Sequence, residues 1–320
     1  MLTCAFSLSL VSPGSSSNEL NLDWFEIGRS GNQILWSEAW GTDNDVWEWS
    51  FTSDLLASSA NSSHANPSKY LPIGAYIVGD AIGTHPAGAL YKVFTSISRN
   101  AKVLDLYSLG TYQGVNPWVM FPEIYKPISD ALKLLGKTES FLYNAAPTRS
   151  SVALFSTGAC MIWDNIDVID STYTCDLKGI YAALIHEGYT IDFIDDRDIE
   201  GGFLTKRGYQ ILNITAPNIS SKSVIEIDSW VKNGGNLLVT QGAGIYDEFN
   251  SLSLSLNNIL GVKNRASDRI EAGLENFPYE ITNNLISVGL PLLPPLWLNA
   301  IEKMSVNGAT PLIYYQRAKL

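Results

Sequence analysis

Short apolar runs alternate along most of this chain with longer stretches in which apolar residues recur at helical spacing. In the first half, Asn32 to Trp36, Leu71 to Val78 and Lys102 to Tyr107 read as strands. The stretches Val46 to Ala60, Pro86 to Ser98 and Glu123 to Leu135 read as the helices that follow them. Three strand–helix units in a row predict parallel strands. Met1 to Asn21, rich in Ser and Leu around Pro13-Gly14, reads as a loop or an interrupted element.

The alternation is cleaner after residue 150. Ser151 to Ser156, Thr190 to Ile194, Gln210 to Ile214 and Asn236 to Thr240 are strand-like. Leu177 to Glu187, with Gly188 at the stop position, and Ser221 to Val231, closed by Asn233-Gly234-Gly235, are helical. Short strands, intervening helices and glycine at the turns fit a doubly wound sheet. From Ser251 onward the pattern is irregular and broken by Pro291, Pro294 and Pro295, with one further candidate strand at Ala309 to Tyr315. The Asp195-Asp196-Arg197-Asp198 run lacks the glycine and distal glutamate of a calcium loop and reads as a solvated turn.

Composition narrows the function classes. At 320 residues there is room for two domains of about 150 residues each. A hydrophobic fraction of 46% with 17% charged residues fits a globular chain. The net charge of −11 argues against a nucleic-acid partner, which needs a basic surface. No apolar run reaches the roughly 18 residues of a membrane span, so no membrane partner is expected. The N-terminus lacks the basic residues of a signal peptide, which favours a cytoplasmic location. Three Asn-x-Ser/Thr tripeptides, at Asn61, Asn213 and Asn218, matter only if the chain is secreted. Three cysteines and three scattered histidines give neither a disulfide framework nor a zinc site, and reduced thiols are expected at Cys160 and Cys175. Gly242-Ala243-Gly244 lacks the third glycine of a dinucleotide fingerprint, so no metal and no cofactor are expected.

Six of the nine tryptophans (Trp24, Trp36, Trp40, Trp47, Trp49 and Trp118) precede residue 150. Indole rings pack on the C–H faces of pyranoses, and they also fill cores. Glu38 lies between Trp36 and Trp40, where a carboxyl beside indole rings could carry a raised pKa and act as an acid. It could equally be a solvated loop acid.

The second half carries a resemblance. Val152 to Phe155, Gly179 to Leu184, Glu187 to Ile194 and Val231 to Thr240, followed by Gly242-Ala243-Gly244 and Asp247-Glu248, resemble the trimerisation domain of family 42 β-galactosidases. That domain has a class I glutamine amidotransferase-like, flavodoxin-like fold. Here Thr240 to Gly244 contains no cysteine, and no histidine follows His186, so amidotransferase chemistry is not expected. The resemblance implies a homo-oligomer, with a trimer as one form.

By the same resemblance, residues 1–149 are the C-terminal portion of a (β/α)₈ glycoside hydrolase barrel. Residues 150–262 are the trimerisation-type domain, and residues 263–320 an irregular extension. The fold class is thus α/β: the last three βα units of a barrel, then a doubly wound domain. A carbohydrate substrate is implied, with catalytic groups at the C-terminal ends of strands. Asp80 falls near the family's nucleophile position on the seventh strand, where the family has glutamate; otherwise it is a helix cap or loop carboxylate. Glu38 falls on the sixth strand, where contact with a sugar hydroxyl is the more natural role. Trp36 and Trp40 would wall the sugar, and His85 and Asp43 could bind hydroxyls. The fourth-strand acid/base of the family would lie upstream of Met1, so the expectation is little hydrolysis by these residues alone.

Overall fold

A computed structural model describes residues 4–7, 23–38, 46–62, 71–78, 86–107, 125–145, 148, 150–163, 172–268, 279–281, 301–310 and 313–315. The architecture is α/β with two parallel sheets of four strands each.

The first sheet holds β1 (Cys4–Ser7), β2 (Leu35–Glu38), β3 (Ile73–Val78) and β4 (Ala101–Tyr107), in that spatial order. All neighbours are parallel, with Trp36 opposite Gly74 and Ser37 opposite Ala75. Parallel neighbours need crossover connections. Between and after the strands come α1 (Trp24–Arg29), α2 (Val46–Ala60), α3 (Pro86–Ser98) and α4 (Tyr125–Asn144). The second sheet holds β5 (Val152–Phe155), β6 (Ile191–Ile194), β7 (Ile211–Ile214) and β8 (Asn236–Val239), in the order β6-β5-β7-β8. The strand order therefore reverses between β5 and β7. Its helices are α5 (Gly158–Trp163), α6 (Thr172–His186), α7 (Asp196–Glu200), α8 (Phe203–Lys206) and α9 (Ser221–Lys232). The Ser220 hydroxyl caps α9 by accepting from the Ser223 N–H at 3.0 Å, and the apolar stripe Val224, Ile227 and Trp230 faces inward.

One apolar cluster runs through both sheets, from Trp24, Phe25 and Leu35 to Leu154, Phe193 and Leu212. Helix α2 is the bridge. Its Phe51 meets Tyr181 of α6 and Phe193 of β6 edge-on, with ring centroids 5.1 and 5.0 Å apart. A smaller cluster of Ile77, Val93, Ile128 and Ala131 joins β3 to α3 and α4. Beyond the second sheet, α10 (Asn257–Leu260) leads to β9 (Val262–Asp268), which pairs antiparallel with β11 (Ile301–Val306). Likewise β10 (Tyr279–Ile281) pairs with β12 (Ile313–Tyr315).

Several expectations need correction. Among the described residues the first half carries four strands, not three: Cys4–Ser7 pairs along β2, although its flanks give no strand signal. Helix α4 runs on to Asn144. The Asp195–Asp198 run is not a solvated turn. Asp195 caps α7, accepting from the Asp198 N–H at 3.0 Å, and Asp198 is fully buried. Among the described residues, no helix is long and apolar enough to cross a membrane. No cluster of three His, Cys, Asp or Glu side chains fits a metal there either. Cys160 is buried, and its sulfur accepts the Asn218 N–H at 3.2 Å.

Candidate functional site

The helices cover one face of the first sheet, where Leu35, Ile73 and Ile77 are buried. Alternation along the strands puts Trp36, Gly74 and Tyr76 on the opposite face. Trp36 stands edge-on to Tyr76, centroids 5.1 Å apart at 63°. The six-membered ring of Trp36 lies over Gly74, so close that a Cβ there would fall 2.5 Å from Trp36 Cε3. A glycine in the strand is thus what admits the indole. The Trp36 Nε1–H is buried and has no hydrogen-bond partner among the described residues. Asp105 sits beside Tyr76 across the β3–β4 ladder and is exposed. An aromatic pair with an uncommitted donor can stack on an apolar ring face and hydrogen-bond a hydroxyl.

Of the candidate site residues Glu38, Asp80, Trp36, Trp40, His85 and Asp43, only the side chain of Trp36 is among those described. The backbone of Glu38 ends β2, opposite Ser7 of β1. Trp40, Asp43, Asp80 and His85 lie outside the described residues, although β3 ends at Val78, two residues before Asp80.

Behind this face, α2 is tied to the second sheet by a buried polar network that sequence reasoning missed. Asp54 of α2 binds Arg99, which follows α3, and accepts the Tyr181 hydroxyl at 2.6 Å. Burial pushes the Asp54 carboxyl up to about 6, against the pull of Arg99. Ser58 accepts the Phe193 N–H at 2.8 Å. Arg207 donates to the Asn61 carbonyl at the end of α2. Arg29 of α1 donates to Asp195 at 2.6 Å and lies 3.5 Å from Asp198, whose carboxylate also accepts Ser62 at 2.9 Å. Burial, and then the neighbouring Asp198 charge, raise Asp195 to about 6. Lys178 pairs with Glu48 at 3.2 Å. These contacts fix the helix that backs β2 and β3. One sequence signal pointed there: Asp195 followed three residues later by Asp198, ahead of the apolar Ile199, has the spacing of a helix N-terminus.

No family model matches the sequence, and no curated protein matches it. Solved structures do match. One is a catalytic mutant of a GH42 β-galactosidase from G. stearothermophilus, with a TM-score of 0.66 at 13% identity, covering 92% of this chain and 44% of that one. Another is a β-galactosidase from Rahnella sp. R3, with a TM-score of 0.68 at 16% identity, covering 92% of this chain and 45% of that one. This chain shares the fold of GH42 β-galactosidases. It spans less than half of their length, and at this identity the likeness is one of fold.

Proposed function

We propose that this chain is part of a glycoside hydrolase acting on β-galactosides or related glycans. Residues 1–149 would be the C-terminal portion of its (β/α)₈ barrel. Residues 150–262 would form a flavodoxin-like assembly domain, with 263–320 as an extension. The supporting observation is the Trp36–Tyr76 aromatic face on a parallel sheet whose fold is shared with GH42 β-galactosidases.

In this reading Trp36, with Trp40, holds the sugar ring, and His85 and Asp43 bind its hydroxyls. Asp80, two residues beyond β3, attacks the anomeric carbon while an acid protonates the departing oxygen. Water then cleaves the glycosyl ester. Glu38, at the end of β2, contacts a hydroxyl or serves as that acid. The test is release of p-nitrophenol from its β-D-galactoside by the full-length protein. Asp80→Asn is expected to fall to background. Glu38→Gln is expected to lose about 10²–10⁴-fold if it is the acid and much less if it only contacts a hydroxyl. Full turnover in Asp80→Asn would remove the nucleophile assignment.

A second reading is a carbohydrate-binding protein without turnover. It is favoured by the Trp36 platform, which binds through stacking and one free N–H and needs no carboxylate. Galactose binding without hydrolysis in the full-length protein would select it. We also propose that residues 150–262 drive homo-oligomer assembly, a trimer included, which light scattering would measure.

A further inference from the structure

The strand order of the second sheet reverses between β5 and β7. In open α/β sheets, the space beyond the carboxyl ends of the strands at such a reversal is where ligands bind. Here the ladder carries three hydroxyls to that edge. Leu154 pairs with Asn213, and Ile214 with Val239. The Thr240 N–H then donates to the Ile214 carbonyl at 3.1 Å. One step further along each strand, Ser156, Thr215 and Thr240 stand side by side. They share the face of Leu154 and Phe193, because residues two apart on a strand point the same way. Helix α6 covers that face, with Tyr181 stacked on Phe193 at 5.9 Å. The same helix contributes Asp176, whose carboxyl lies beside Thr240 and is raised by burial.

None of the three hydroxyls has a hydrogen-bond partner among the described residues. Ser156 is 1% exposed and Thr215 3% exposed. Asn213, two residues before Thr215 on the same face and 6% exposed, has an uncommitted side-chain oxygen as well. Buried hydroxyls without partners are rare and costly in a folded protein. Neighbouring strands lie about 4.8 Å apart, so one hydroxyl placed between Ser156 and Thr215 could bond both. Thr240 and Asp176 are half-buried, so the β8 end of the row lies nearest to solvent.

The chemistry of the row defines its ligand. It offers hydroxyls, an amide oxygen and one carboxyl. Of the described cations around it, Lys178 is held by Glu48, Arg29 by Asp195 and Arg265 by the Ala243 carbonyl. The Asp176 carboxyl disfavours a phosphate or carboxylate ligand. We propose that Ser156, Thr215, Thr240 and Asp176 form a binding site for a small neutral polyol at the strand-order reversal of the second sheet. The site is separate from the Trp36 face.

The test is calorimetric titration of the full chain with myo-inositol and with D-sorbitol. It uses wild type, Thr215→Val, Ser156→Ala and Trp36→Ala, each with its thermal midpoint recorded. Binding of at least one probe is expected, weakened about tenfold or more in Thr215→Val and Ser156→Ala, the loss of one hydrogen bond. Trp36→Ala should leave that binding unchanged. The midpoints of the two hydroxyl variants should hold or rise, because each removes an unpaired buried oxygen. The proposal is overturned if neither probe binds, if Thr215→Val binds as wild type does, or if Trp36→Ala abolishes the binding. It is also overturned if both hydroxyl variants melt well below wild type, since the hydroxyls would then already be paired within the protein. None of these outcomes bears on hydrolysis at the Trp36 face.

Discussion

The two parallel sheets have four strands each and differ in how they are filled. In the second sheet, β5 is buried at all four positions, with α6 and α9 supplying apolar cover. In the first sheet, β3 buries Ile73 and Ile77 on its helix side, while Ala75 and Tyr76 stay partly exposed. The second sheet is closed on both sides at β5, while its edge strand β8 leaves Leu238 exposed. The first is closed on one side and presents aromatic rings on the other. The difference assigns roles: the closed layer anchors α2 from behind, and the open face is where recognition chemistry can be displayed.

The anchor is the place to break this arrangement. Arg29 is 5% exposed and lies against Asp195 and Asp198, at 8% and 0%. Removing one partner of a buried ionic group typically costs about 3–5 kcal/mol, because the charge left behind keeps its desolvation cost. Arg29→Ala is therefore expected to destabilise the chain by about that amount in urea unfolding. The transition should stay single, since one core spans both sheets. Two separated transitions would show that the two halves unfold independently.

A matched pair of truncations sharpens the contrast. Phe155 is fully buried in the closed layer, and Phe155→Ala should cost about 3–5 kcal/mol. Tyr76 is partly exposed on the open face, and Tyr76→Ala should cost less than half as much by the same measurement. Equal costs would mean that the open face is packed like a core.

Sequence pattern made much of this contrast legible. Val46–Ala60 and Pro86–Ser98 were readable as helices at their observed bounds, and Val152–Phe155 as a buried strand, because apolar spacing there is dictated by what the element covers. Trp36 was singled out because it ends an apolar run two residues before Glu38, and the structure places its ring on the sheet while leaving a contact role to the test above. Cys4–Ser7 was not readable: it lies in a Ser- and Leu-rich stretch that shows no strand pattern, and the strand is defined by its partner β2. The burial of Asp195 and Asp198 was hidden for a different reason. A run of acids reads as solvated unless the arginine that meets it is known, and Arg29 lies 166 residues away from Asp195.

The same network makes a pH dependence. Asp54 and Asp195 titrate near 6 in the folded chain, raised by burial from 3.8. The folded state thus holds protons between those values that the unfolded state has released. Their contribution to stability is fully present below about pH 4 and is lost as pH rises through about 6, up to roughly 3 kcal/mol for each carboxyl. Asp54→Asn keeps an acceptor for Tyr181 and should remove the Asp54 share of the slope in melting temperature between those pH values. An unchanged slope would place the titration elsewhere.

The smallest effects come from two glycines that should respond with opposite sign. Gly74 sits under Trp36, and a methyl group there would press into the indole at 2.5 Å. The ring must move off the strand, so Gly74→Ala should cost about 1–3 kcal/mol and, under the proposed function, weaken galactoside binding by the full-length protein. Gly136 lies inside α4 with nothing within 4 Å of the added carbon. There alanine restricts the unfolded chain and improves helix propensity, so Gly136→Ala should gain about 0.5–1 kcal/mol and leave binding unchanged. Both substitutions add one methyl group, so their opposite signs in urea unfolding isolate the seat of Trp36. If Gly74→Ala were neutral in stability and binding, the indole would not depend on that glycine, and the open face would lose its claim to a fixed aromatic platform.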